Sequence, residues 1–112
     1  MTFIGSIFDL QAELCQTMSN ASRLRIVHCL REGPRCVGDI VQATRLAQPK
    51  VSQHLSLLRS RGIVAAQRKG SEMEYRLANP KNARVCDLMR EVLADQAAER
   101  SELLLSFNTV KQ

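Results

Sequence analysis

Apolar residues along this chain keep a helical period, switch to alternation, and return to a helical period. Ile7, Leu10, Leu14 and Met18 recur at helical spacing with Cys15 beside them, which predicts a first helix over about 6–18. Ser19-Asn20 offers a cap, and Leu24, Val27 and Leu30 carry a second helix to about Arg31, where Glu32-Gly33-Pro34 breaks it. Cys36-Val37-Gly38-Asp39-Ile40-Val41 opens a short third helix ending near Ala43, and Thr44-Arg45-Leu46-Ala47 is a tight connection. Gln48-Pro49 starts a fourth helix over about 48–61, because proline fits a first turn whose N–H groups have no intrahelical partner. Val51, Leu55 and Leu58 form its single apolar stripe, and Gly62 is expected to close it in the left-handed conformation.

After Gly62 the period drops to two. Residues 63–68 read as a strand, Lys69-Gly70-Ser71 as a turn, and Met73, Tyr75 and Leu77 alternate with polar residues on a second strand. This is a hairpin over about 63–77. Asn79-Pro80 then starts a last helix over about 80–106, roughly 40 Å long at 1.5 Å per residue. Val85, Leu88, Met89, Val92 and Leu93 give it a wide apolar stripe, extended less regularly by Leu103, Leu104 and Leu105, and residues Asn108 to Gln112 are expected to fray. The fold class is therefore mainly α with a small β-hairpin. The pattern is a winged helix-turn-helix in one domain spanning 1–112. One small domain cannot cover the apolar first and last helices alone, which predicts a homodimer joined through them.

Composition fits a globular chain, with 45% apolar and 24% charged residues. The net charge of +5 is unevenly spread: residues 20–84 hold 13 Lys/Arg against 4 Asp/Glu, while both flanks are acidic. That surplus is an electrostatic footprint for a polyanion. The face opposite the stripe of the fourth helix carries Lys50, Ser52, Gln53, His54, Ser56 and Arg59, and no carboxylate occurs from Leu46 to Gly62. An ordinary solvated face mixes charge signs; glutamine and serine beside lysine instead suit base edges and phosphates in a major groove. The hairpin tip, Arg68-Lys69, suits phosphate or the minor groove. A winged-helix module that binds protein is the alternative, and it would tolerate acidic residues on the fourth helix. Catalysis is not expected: the candidate Cys/His combination is Cys36 with His28 or His54, His54 belongs to the outer face of the fourth helix, and no phosphate loop or distinctive carboxylate pair occurs. The amino terminus, MTFIGSIFDLQAEL, has neither a basic leader nor a long apolar run. A cytoplasmic chain without membrane contact and with four reduced thiols is the expectation.

Five stretches in order resemble the ArsR/SmtB family of winged-helix repressors: Met18 to Ile26, Val37 to Ile40, Gln48 to Leu55, Arg59 to Val64, and the hairpin ending Tyr75-Arg76-Leu77. The resemblance runs from about Glu13 to Leu93. It implies a homodimer that binds double-stranded DNA at an inverted-repeat operator and is released by a signal. Carried over by position, it puts DNA contacts on Gln48, Lys50, Ser52, Gln53 and His54, and on Arg68 and Lys69 in the wing. Arsenic sensors in the family often have Cys-x-Cys at the start of the third helix. Here the run is Arg35-Cys36-Val37-Gly38-Asp39-Ile40, with the first thiol present and glycine at the second. Soft trivalent arsenic or antimony favours about three thiolates, so Cys36 would need Cys15 from either subunit as a supplement. The expected inducer is As(III), Sb(III) or another soft metal, with no cofactor required. The last helix lacks the histidines of the family's zinc and nickel sites. A redox or reactive-sulfur sensor using Cys29 and Cys86 is the alternative, since some relatives pair cysteines on those two helices. Each cysteine could instead be a small packing residue.

Overall fold

The computed structural model describes residues 5–111, with side chains described as far as Glu102. Helix α1 (Ile7–Met18) starts at Ser6, whose hydroxyl accepts the Asp9 N–H while the Asp9 carboxylate accepts the Ser6 N–H, a reciprocal capping box. Asn20 caps α2 (Ala21–Cys29) by accepting the Arg23 N–H at 3.0 Å. This helix stops short of Arg31. Leu30–Glu32 tightens into a 3₁₀ turn that ends at Gly33, where φ is 141°. Helices α3 (Val37–Thr44) and α4 (Gln48–Ser60) follow, joined by a connection whose first residue, Arg45, is left-handed at φ 60°. Gly62 (φ 74°) donates to the Arg59 carbonyl and closes α4 as expected.

Strands β2 (Val64–Lys69) and β3 (Glu72–Leu77) make the hairpin, with Lys69 opposite Glu72 across Gly70-Ser71. Gly70 supplies the positive φ (65°) such a tight loop needs. A two-residue strand, β1 (Arg35–Cys36), was not expected from the sequence. It adds to β3 and gives an antiparallel sheet of order β1-β3-β2, pairing Arg35 with Tyr75 and Cys36 with Glu74. Two residues are too few to show alternation, so only tertiary contact reveals this strand.

The core lies where α2, α3 and α4 cross beneath the sheet. Ile26, Val27, Ile40, Val51, Leu55 and Leu58 are fully buried, and Ile63 and Val64 seal them from the strand side. Each such side chain contributes about 1.5–3 kcal/mol by leaving water. The predicted stripe of α4 is thus a core stripe, which forces its other face outward.

Helix α5 (Lys81–Lys111) begins after Asn79, whose side chain accepts the Lys81 N–H at 3.0 Å. It continues past the expected end at Ser106, and helix replaces the expected fraying from Asn108 to Lys111. The intrahelical ladder carries it on, whatever its side chains meet. Ala83 and Cys86 are buried near its start, whereas Val85, Leu88, Met89, Val92 and Leu93 stay exposed. On α1, Ile7 (70% exposed) and Phe8 (74%) are also bare, with Leu10 and Leu14 beside them. The side chains of Leu103, Leu104 and Leu105, read as extending the stripe, lie outside the described residues. The radius of gyration, 18.5 Å, is well above the roughly 13 Å of a compact chain of this length. Among the described residues of one chain, nothing covers the apolar faces of α1 and α5.

Candidate nucleic-acid interface

Helix α4 presents its polar side because its apolar side is locked down. Val51, Leu55 and Leu58 are buried, so Gln48, Lys50, Ser52, Gln53, Ser56 and Arg59 are exposed on the outside. The first turn contains no acidic residue, and the N-cap, Ala47, has no side chain able to occupy its N–H groups. These donors, with the positive end of the helix dipole, are left for an anion.

His54 departs from a fully outward placement, being half-buried. Burial lowers its pKa below the ordinary 6.5, and the nearby charges of Arg23 and Lys50 push in the same direction. His54 is therefore predominantly neutral at pH 7, suited to a directional hydrogen bond. Its environment also identifies Arg23 as a member of this surface, which the sequence reading missed. Arg23 is anchored by donation from its Nε to the Thr17 carbonyl at 2.5 Å. In the sequence only its charge was visible; its nearness to α4 comes from how α2 crosses that helix.

The hairpin tip carries Arg68 and Lys69, both exposed. The Lys69 ammonium stands 3.9 Å from the Glu74 carboxylate, and its side chain is 76% exposed. An ion pair so open contributes at most about 1 kcal/mol, so phosphate competes for the lysine at little cost. The turn between α3 and α4 is held by Thr44, whose hydroxyl donates to the Ile40 carbonyl at 2.7 Å and accepts the Leu46 N–H at 3.4 Å. The angle between the two helices is thereby tied to the core.

The cysteines fall into two settings. Cys15 is exposed on α1, and Cys36 is half-buried where β1 passes into α3. Cys86 is buried in the core, and Cys29 packs against the same cluster. Burial raises the pKa of both Cys29 and Cys86; Arg35 opposes it at the first and Arg90 at the second. All four are free thiols. Among the described residues of one chain, no group of three His, Cys, Asp or Glu side chains is placed to hold a metal ion. His28 is exposed, and its Nδ1 is 3.2 Å from Arg90. Asp87 on α5 bridges Arg90 and Arg31, tying the 3₁₀ turn after α2 to α5. No described helix is long and apolar enough to cross a membrane.

With this geometry in place, likeness to known proteins is informative. The family model for bacterial regulatory proteins of the arsR family matches residues 20–66, from the α2 cap into β2. The transcriptional repressor SmtB of Mycobacterium tuberculosis is 44% identical over 73 residues, covering 65% of this chain. The chain spans only about half (54%) of that relative's length. A probable mercury resistance operon repressor of Streptomyces lividans is 32% identical over 80% of this chain and 72% of its own length. The solution structure of a homodimeric winged helix-turn-helix DNA-binding domain from Mycobacterium bovis, a possible ArsR-family regulator, superposes with a TM-score of 0.70. It is 32% identical and covers 89% of this chain and 95% of that domain. These relatives are described as transcriptional repressors or regulators. In sequence and in fold, this chain belongs to the arsR family of bacterial regulatory proteins.

Proposed function

We propose that this chain is a transcriptional repressor that binds an inverted-repeat DNA operator as a homodimer and is released by a thiol-directed signal. One observation carries the DNA part: the outer face of α4 is exposed, polar and free of carboxylates, while its inner face is wholly buried. Such a helix is rigidly mounted and is repelled by nothing on a phosphate backbone. Gln53 and Ser52 then read base edges, and Lys50, Arg23, Arg68 and Lys69 position the duplex through phosphates. Dimerisation buries the bare apolar residues of α1 and α5 and sets the spacing of the two reading helices.

The test is fluorescence anisotropy with duplexes from the promoter region of the protein's own gene, over a range of salt. Tight binding to one inverted repeat is expected, with a salt slope near −0.9 per phosphate neutralised. Salt-insensitive binding, or none to any duplex, overturns the reading.

For the signal, Cys36 with Cys15 of either subunit is the preferred sensor and a soft trivalent metalloid or other soft metal the preferred inducer. A single chain offers no metal site among its described residues, so a site shared between subunits fits the exposed Cys15 on a dimerising helix. The kinship with a mercury resistance repressor supports a soft, thiol-seeking metal. A second reading rests on a different observation. Cys29 and Cys86 pack in one apolar cluster on helices that touch, so their oxidation to a disulfide would fasten α5 to the reading unit. Operator release titrated with arsenite and, separately, with a persulfide on single Cys→Ser variants distinguishes the two pairs.

A further inference from the structure

An open cavity of about 600 Å³ lies between α2, the end of α3 and α5, on residues neither the reading helix nor the wing uses. Its volume is in the range of small-molecule sites, about 300–1,000 Å³. Leu24 and Ala43 line it with apolar surface, and Arg25, Arg45 and Arg90 stand among its lining residues. No lining residue is acidic. Arg90 is already oriented there by Asp87 and by the His28 ring. Arg25 and Arg45 make no ion pair among the described residues.

Arg45 carries the most telling detail. It sits in left-handed backbone at φ 60° and ψ 23°, where its N–H caps α3 on the Val41 carbonyl at 2.8 Å. Glycine or asparagine would hold that cap with less strain, since left-handed backbone is unfavourable for other residues. Apolar walls beside arginines that form no ion pair among the described residues match one ligand chemistry, an anionic head on an apolar body.

We propose that the cavity between α2, α3 and α5 binds a small organic anion, its head held by Arg25 and Arg45 and its apolar body against Leu24 and Ala43. A DNA phosphate would satisfy the arginines but leave the apolar walls unused.

The test is calorimetric titration of the full chain with 1-naphthoate, and with the uncharged analogue 1-naphthylmethanol, in the absence of DNA. It is therefore independent of the repressor reading. One naphthoate per chain is expected, bound at least about tenfold more tightly than the alcohol, because charge-assisted hydrogen bonds to a carboxylate are stronger than those to a neutral hydroxyl. An Arg25→Gln/Arg45→Asn variant, whose asparagine still tolerates the left-handed backbone, is expected to lose that preference. Ala43→Phe should fill the space and abolish binding of both molecules. No binding of naphthoate to the wild type overturns the proposal. So does equal binding of acid and alcohol, or undiminished binding to both folded variants, which would place the ligand on the bare faces of α1 and α5. Folding of each variant is verified by circular dichroism; if Ala43→Phe is unfolded, the arginine double variant alone decides.

Discussion

Cys36 and Glu74 face each other across the ladder between β1 and β3, and Glu74 is in turn ion-paired with Lys69 in the wing. The same cysteine is the N-cap of α3, the helix that leads into the reading helix. A bond formed at Cys36 would therefore pull on both the helix-turn-helix and the wing. Small shifts at such a junction are amplified when two reading heads must keep a fixed spacing.

Cys36→Ser is accordingly expected to bind operator like the wild type and to lose release by arsenite or antimonite. A hundredfold release requires the inducer to favour the DNA-incompetent state by about 2.7 kcal/mol. Operator anisotropy during a metalloid titration measures it. Normal release from both the Cys36→Ser and the Cys15→Ser proteins, with release lost in Cys29→Ser or Cys86→Ser, would transfer the sensor to the second pair.

Gln53 and Lys69 should fail in different ways. Gln53→Ala removes a side chain suited to a bidentate base contact and should lose about 1–3 kcal/mol of discrimination among operator variants. Lys69→Ala should weaken every duplex alike and lower the salt slope by about one unit. Binding isotherms on matched and mutated operators at several salt concentrations separate these effects; identical behaviour would refute the division of roles.

Val92 is 54% exposed on α5 in a single chain, and Leu88 is 61% exposed. If that face is the dimer contact, Val92→Asp buries an unpaired charge there at a cost of about 3–5 kcal/mol. Sedimentation velocity should then show monomers with an intact core. A dimeric Val92→Asp protein would move the interface elsewhere.

His54 gives a pH signature with a defined sign. Its pKa is lowered in the folded chain, so below 6.5 the unfolded chain binds the proton more readily than the folded one. Stability should be unaffected by this group above that pH and should fall as pH drops below it. Urea unfolding at neutral and mildly acidic pH should show a smaller loss in His54→Gln than in the wild type. An equal loss in both would mean that His54 is not the group responsible.

Helix periodicity, caps and the switch to alternation are local properties, so the sequence alone disclosed α1, α2 (overrunning its end into the 3₁₀ turn), the α3–α4 pair, the hairpin and α5. Proline at the start of α4 and Gly62 at its end act through their own φ preferences and need no tertiary partner to be read. The outer face of α4 was legible for the same reason, since Val51, Leu55 and Leu58 leave only one orientation for the helix. Other features depended on which elements meet. The strand at Arg35–Cys36 exists because β3 offers it a free edge. The placement of Arg23 beside His54 follows from the crossing of α2 over α4. The two-way division of the cysteines, and the gathering of Arg25, Arg45 and Arg90 around one cavity, likewise arise from distant segments brought together. Backbone preference and side-chain period are written residue by residue, whereas proximity between distant residues is a property of the packed core alone.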